Sequence, residues 1–205
     1  TIITVSVLVM LIFGSIANYI TRRQTLADVG ALQQSSADSH GRALGDFLLQ
    51  ETNSLAILAN QFSGEVTIAN ANYSGGPTAI QAQIDLFDKE WQAAVEAEND
   101  ASPLVSSRLK NGTAAELREY RNTLQENVEV FLTDKYGAII ASTNRTSDYY
   151  QADEEWWQSA YNNGRGAIYV GTIEYDDSAK IFASDIAVPV YAQNSRRVIG
   201  VLRTT

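Results

Sequence analysis

The hydrophobic positions fall into three regimes along the chain. Residues 1–21 contain no charged side chain and include the apolar run 5–13, about the length at which a helix crosses a bilayer. This pattern predicts a transmembrane helix over 1–21. A cleaved secretory signal is the competing reading, because Ser15-Ile16-Ala17 has the small residues of a cleavage site and the apolar core is short. From there to Phe62 no proline intervenes, and Leu44, Phe47, Leu48, Leu55, Leu58 and Phe62 return at three- and four-residue steps, the period of one helical face. A long helix over 22–62 is therefore predicted. Glu51 interrupts its stripe, and Gly30, Gly41 and Gly45 each weaken it by about 1 kcal/mol relative to Ala.

The stretch 70–77, with Tyr73-Ser74-Gly75-Gly76-Pro77, concentrates turn formers. Pro77 suits a first helical turn, and Ile80, Ile84, Phe87 and Trp91 continue a helix that ends before Asn99, with a short helix after Pro103. Thr113-Ala114-Ala115-Glu116 reads as a capping box for a helix through Leu117, Tyr120 and Leu124, so 63–126 is predicted to be helical. Beyond Val128 the period falls to two. Val128, Val130 and Leu132 alternate with polar residues, Asp134-Lys135-Tyr136-Gly137 makes a turn, and a second strand starts at 138–141. Further strands are predicted at 167–171, 180–191 and 197–204, with a turn at 193–195 and a short helix near 153–161. Five strands with turn-rich joins predict a mainly antiparallel sheet over 127–205, covered by helices on one face. The fold class is α+β: an N-terminal transmembrane and long helix, then helices packed on an antiparallel sheet.

With 205 residues, 45% of them hydrophobic, the chain can build one ordinary core with appendages. A formal charge of −9 with scattered Lys and Arg excludes a nucleic-acid partner, which needs clustered basic groups. The absence of Cys removes disulfides, thiolate metal sites and thiol nucleophiles. His40 is the only histidine and lies on the long helix, so neither a Ser-His-Asp triad nor a multi-His metal site can be assembled. Glu154 and Glu155 are neighbours, and neighbours on a helix do not face one substrate. No catalytic residue, metal or cofactor is expected.

The order Phe131-Leu132-Thr133-Asp134-x-x-Gly137, Ser142-Thr143-Asn144, Asp148-Tyr149-Tyr150, Glu155-Trp156-Trp157, Gly164-x-Gly166, Tyr175-Asp176-x-Ser178 and Ala187-Val188-Pro189-Val190, closing on Val198-Ile199-Gly200-Val201-Leu202, resembles the Cache family of extracellular sensor domains. The resemblance covers about 127–204. It implies a long helix leading from the membrane into a PAS-like antiparallel sheet, with a small-molecule pocket between the sheet and its covering loops. It also implies an extracytoplasmic sensing module of a chemoreceptor, histidine kinase or similar receptor, which passes ligand occupancy along the long helix. Arg22 and Arg23 directly after the span leave the membrane orientation open on the residues alone, and the resemblance sets the bulk of the chain outside the cell membrane. The chain departs from the amino-acid-binding Cache pattern at Glu154, where that pattern has an Arg two residues before the Trp to hold a ligand carboxylate.

Seven of the ten Tyr and two of the three Trp follow Asp134, which supplies rigid amphipathic side chains for a pocket. The candidate ligand-binding residues are Tyr149, Trp156, Trp157, Tyr175, Asp176 and Asp185. Trp156 and Trp157 must point in different directions, one to the core and one to a ligand, unless both are core; Asp176 and Asp185 could equally cap a turn or edge a strand. Between 148 and 185 eight carboxylates face only Arg165 and Lys180, which favours a cationic or amine-bearing ligand. The stripe Leu44, Phe47, Leu55 and Leu58 has too little neighbouring sequence to bury it, so a homodimer through the long helix is expected, with membrane lipid around 1–21. A pilin-like filament subunit is the alternative layout, although pilins carry Glu at the fifth mature position and this chain has Val5. Thr1 is not a Met and Thr205 ends a predicted strand. A leader or true start, and any second sensor module, return span and output domain, are thus expected to lie outside this sequence.

Overall fold

A computed structural model of the chain describes residues 2–176 and 181–205, with the side chains of residues 2–5, 7, 9 and 176 outside that description. The chain divides into two compact units, Thr1–Gln50 and Glu51–Thr205. The first unit is helical: helix α1 runs Ile2–Gln61, and its residues as far as Gln50 make up this unit. Among the described residues no helix is long and apolar enough to cross a membrane. The transmembrane helix expected at 1–21 rests in part on the side chains of 1–5, 7 and 9, which lie outside the described residues. Leu26, Leu32, Leu44 and Phe47 are exposed on this unit.

In the second unit Leu55 is 0% and Leu58 8% exposed. The expectation that these two residues need another subunit for burial is thus corrected: together with Ala59 and Phe62 they are buried within this unit. A turn at Phe62 separates α1 from α2 (Ser63–Ala71), a helix that the sequence did not reveal as a separate element. Ser63 Oγ donates to the carbonyl of Tyr191 at 2.7 Å, which ties the start of α2 to the sheet. Helices α3 (Pro77–Glu96) and α4 (Pro103–Leu109) both begin on proline, where the missing N–H costs nothing. Helix α5 (Gly112–Thr123) is capped by Asn111, whose side chain accepts from the Ala114 amide at 2.8 Å. The expected cap at Thr113 is therefore displaced by two residues. Asn111 prevails because its Nδ2 also donates to the carbonyl of Ile140 at 2.9 Å, so one side chain caps the helix and holds it to a strand.

The strands are β1 (Val130–Asp134), β2 (Ile139–Ser142), β3 (Tyr169–Val170), β4 (Glu174–Asp176), β5 (Ile181–Ala183), β6 (Ile186–Tyr191) and β7 (Val198–Thr204), with α6 (Glu155–Tyr161) between β2 and β3. Five form one sheet in the order β2-β1-β7-β6-β3, and β4 pairs with β5 in a separate hairpin. Every strand pairing is antiparallel. The single strand expected over 180–191 is divided, since Gly171 donates its amide to Asp185 O at 2.8 Å and Ser184 Oγ donates to Gly171 O at 2.8 Å. These bonds turn the chain at 184–185 and direct β5 away from the sheet. In the β1–β2 turn, Asp134 Oδ1 accepts from the amides of Tyr136 and Ala138 at 2.8 and 3.0 Å. Gly137 has φ +83°, and a Cβ there would lie 2.5 Å from the Ala152 nitrogen, so both conformation and space require glycine.

Both faces of the sheet are covered, a correction to the one-sided cover expected. Phe131 meets Trp156 of α6 edge to face at 5.5 Å, and Thr133 Oγ1 accepts from Trp157 Nε1 at 3.0 Å. Alternation along the strand turns Val130, Leu132 and Asp134 to the opposite face, where they are also buried. That is the face of α2, since a Cβ on Gly200 would lie 2.9 Å from Val66 Cγ1. Cover on both sides explains why all five residues of β1 are buried, where polar alternation suggested a half-solvated strand.

Candidate functional site

Beside α6, between the end of the sheet and the β4–β5 hairpin, lies a cavity of about 360 Å³. Trp156 comes from α6, Tyr169 from the edge strand β3, Tyr175 and Glu174 from β4, Asp185 from the turn before β6, and Arg203 from β7. Glu154, Glu155, Thr172 and Thr205 complete its polar lining. The local reasons are simple. A buried face of α6 presents Trp156 to the sheet, and the Gly171 and Ser184 hydrogen bonds that divide the strands hold Asp185 just before β6, where its carboxylate pairs with Arg203.

Arg203 is the centre of this arrangement. Its Nη2 donates to Asp185 Oδ1 at 2.5 Å and to Thr205 Oγ1 at 3.2 Å, and Thr205 Oγ1 donates to the same Asp185 oxygen at 2.8 Å. Its Cζ sits 5.0 Å from the Trp156 ring centre and 5.3 Å from that of Phe131, within cation–π range. Two donors are left over. Arg203 Nε and Trp156 Nε1 are buried and have no hydrogen-bond partner among the described residues, and a buried donor without an acceptor costs about 1–3 kcal/mol. Four carboxylates, Glu154, Glu155, Glu174 and Asp185, stand against the one guanidinium. The Tyr169 hydroxyl registers that excess: its pKa is raised first by desolvation and then by Glu155 and Asp185, with Arg203 pulling the other way.

Of the residues singled out from sequence, Trp156, Tyr175 and Asp185 meet in this cavity. Trp157 does not line it; it is 6% exposed, bonded to Thr133 and stacked on Tyr161 at 4.6 Å, a core position. Tyr149 belongs to a different cavity of about 330 Å³ with Tyr73, Phe87, Arg108 and Asp134. Arg108 Nη2 donates to its hydroxyl at 3.3 Å, and burial raises the Tyr149 pKa. Asp134, 2% exposed, accepts from Tyr73 Oη at 2.6 Å there, and burial raises its pKa despite that bond and those from two amides. The side chain of Asp176 lies outside the described residues; its backbone pairs with Ile181. Arg203 was not singled out, and Glu174 was counted only among the eight carboxylates between 148 and 185. Arg203 had a signal: directly after the run 198–202 it shares the period-two face of Ile199 and Val201, so a charge there points inward. Among the described residues no group of three or more His, Cys, Asp or Glu could hold a metal ion.

No family model matches the sequence, and no curated protein matches it. Solved structures do. The sensory domain of the Campylobacter jejuni chemoreceptor Tlp3 (CcmL) is 14% identical over 78% of this chain and 62% of its own length, with a TM-score of 0.38. The sensor domain of the V. cholerae histidine kinase DctB is 19% identical over 78% and 55%, with a TM-score of 0.34. An extracellular ligand binding receptor from Desulfohalobium retbaense is 14% identical over 74% and 24%, with a TM-score of 0.36. The chain is thus structurally similar, at low identity, to sensory domains of chemoreceptors and histidine kinases, and spans about three-fifths of the Tlp3 domain. This likeness assigns it neither ligand nor output.

Proposed function

We propose that the chain is the extracytoplasmic small-molecule-sensing module of a transmembrane signalling receptor, of the Cache, PAS-like type, and that it is not itself catalytic. The observation that carries the reading is the cavity of about 360 Å³ beside α6, in which Trp156, Tyr169 and Tyr175 surround Asp185, Glu174 and Arg203. Aromatic walls with a few placed polar groups are the usual build of a small-molecule site, and sites of roughly 300–1,000 Å³ are typical. The carboxylate excess favours a cationic or amine-bearing ligand, held by ion pairing and by ring faces. In this reading Trp156, Tyr175, Asp185 and Asp176 touch the ligand, while Trp157 packs in the core on Thr133 and Tyr161 and Tyr149 lines the separate cavity with Arg108.

The remaining parts follow the same logic. Residues 1–21 anchor the chain in lipid, 22–62 connect the anchor to the sensor, 63–126 are the helical segment of the domain, and 127–205 its ligand-binding sheet. The exposed stripe at Leu44 and Phe47 pairs two copies, and the long helix carries occupancy towards an output domain. Calorimetric titration of the purified chain with primary alkylamines tests the central claim. Saturable binding that weakens about tenfold or more in Trp156→Ala and Tyr175→Ala is expected. Binding of carboxylic acids alone, or amine binding unchanged in both variants, would overturn it, and assembly of the purified chain into long filaments would favour the pilin-like alternative.

A further inference from the structure

The cavity of about 330 Å³ that contains Tyr149 has no part in the reading above. Helix α2 contributes Ile68 to it, α3 Phe87, α4 Arg108, and the edge strand β2 Ile139 and Ile140, so its body is apolar. Phe87 meets Tyr149 edge to face at 5.9 Å. The charges in the lining are unequally provided for. Asp134 accepts from Tyr73 Oη at 2.6 Å and from two amides, so its carboxylate is already satisfied. Glu65 is exposed, where solvent screens it. Among the described residues, however, no carboxylate lies within ion-pairing distance of Arg108. Its hydrogen bonds go to neutral acceptors, Ile139 O at 2.9 Å, Ser107 Oγ at 3.0 Å and Tyr149 Oη at 3.3 Å. A guanidinium has five N–H, so one on each Nη is left over, and the Nη2 bond is longer than the usual distance of about 2.9–3.0 Å. The side chain is half-buried and lines the cavity, and its Nη1 bond is exposed. A second positive feature stands beside it. Thr113, in the first turn of α5, and the capping Asn111 line the same cavity. The positive end of that 12-residue helix, whose first amides have no acceptor inside it, thus borders the same space.

We propose that this cavity is a second ligand site and takes a small carboxylate with an apolar body: the carboxylate pairs with Arg108 beside the start of α5, and the body lies against Ile68, Phe87 and Tyr149. The two cavities then have opposite charge preferences, and an amine and a carboxylate occupy the domain together. The full chain in detergent is titrated calorimetrically with phenylacetate, phenylacetamide and butylamine. Phenylacetate binds saturably, and phenylacetamide, which keeps the shape without the charge, binds at least about tenfold more weakly. Arg108→Gln weakens phenylacetate by about tenfold or more. Ile68 lines the cavity yet is 66% exposed, which puts it at the mouth. Ile68→Trp therefore blocks entry without disturbing the core, and it abolishes phenylacetate binding. This variant decides the matter where Arg108→Gln, deprived of its bond to Ile139 O, does not fold. Butylamine affinity in Ile68→Trp reports the cavity beside α6 and stays at the value of the unmodified chain. Equal affinity for phenylacetate and phenylacetamide, phenylacetate binding unaltered in Ile68→Trp, or no phenylacetate binding overturns the inference. So does loss of butylamine binding in Ile68→Trp, or competition between phenylacetate and butylamine, since either means a single site. A chain that binds phenylacetate in this pattern but no amine upholds the second site and overturns the amine reading of the first.

Discussion

Trp156 and Trp157 are adjacent in sequence and part ways in space. Trp157 spends its N–H on Thr133 and its ring on Tyr161, and truncation of such a side chain to Ala costs about 3–5 kcal/mol. Urea denaturation should show that loss for Trp157→Ala, and a much smaller one, about 1 kcal/mol for the single hydrogen bond, for Trp157→Phe. Equal losses in the two variants would contradict the packing role. Asp148 offers a pH-dependent test. Its pKa is raised to about 6 by burial and then by Asp88, Glu154 and Asp153, with Gln151 opposing. The folded chain thus holds this proton more tightly than the unfolded chain does. The resulting stabilisation is full below the unfolded value of about 4 and is lost as pH rises through about 6. Melting temperatures between pH 4.5 and 7.5 should fall less in Asp148→Asn than in the unmodified chain; an identical slope would rule Asp148 out as a source. At this scale, residue type and local period revealed the aromatic candidates and Asp185, but not which cavity each enters. Tyr149 went elsewhere because the Asp88 carboxylate holds its amide at 2.9 Å, a contact between residues 61 apart that no local pattern encodes.

Among the elements, those with strong local punctuation were legible. Pro77 and Pro103 start α3 and α4, and the Asp134–Gly137 turn joins β1 to β2. What failed was decided by partners distant in sequence. The capping box at Thr113 was locally sound, and Asn111 displaced it through its bond to Ile140 on β2. The two readings differ by experiment: Asn111→Ala should destabilise the chain by about 1 kcal/mol or more in chemical denaturation, and Thr113→Ala should have little effect. The reverse order would restore the sequence-based cap. The split of 180–191 into β5 and β6 has the same origin, since Gly171 and Ser184 are hydrogen-bonded across a gap that alternation along one strand does not register. Strand β4 is three residues long, below the length at which period two can be recognised.

For the molecule as a whole, the α+β order and the antiparallel sheet were legible because helical and strand periods occupy separate stretches of sequence. Its two-sided cover was not, since alternation reveals that a strand has two faces but not what lies on each. The same point governs assembly. Leu55 and Leu58 are satisfied within their own unit, whereas Leu44 and Phe47 remain 51% and 42% exposed. Single Cys substitutions at 40–58, introduced into a chain that has no native Cys, should crosslink between copies with helical periodicity around 44 and 47 and poorly at 55 and 58. Crosslinking without periodicity would remove the dimer. Strand β7 carries the further consequence. It lies between β1 and β6, and successive residues serve opposite compartments: Arg203 the cavity, Gly200 and Leu202 the side of α2. Asn70 of α2 donates to the Ile199 carbonyl at 2.8 Å and accepts from the Lys135 amide at 3.2 Å, and Gly200 leaves no slack against Val66. Whatever tilts this strand at Arg203 must be taken up by α2 at Gly200 and Ile199, three and four residues back, so only the thickness of a single sheet separates the cavity from that helix.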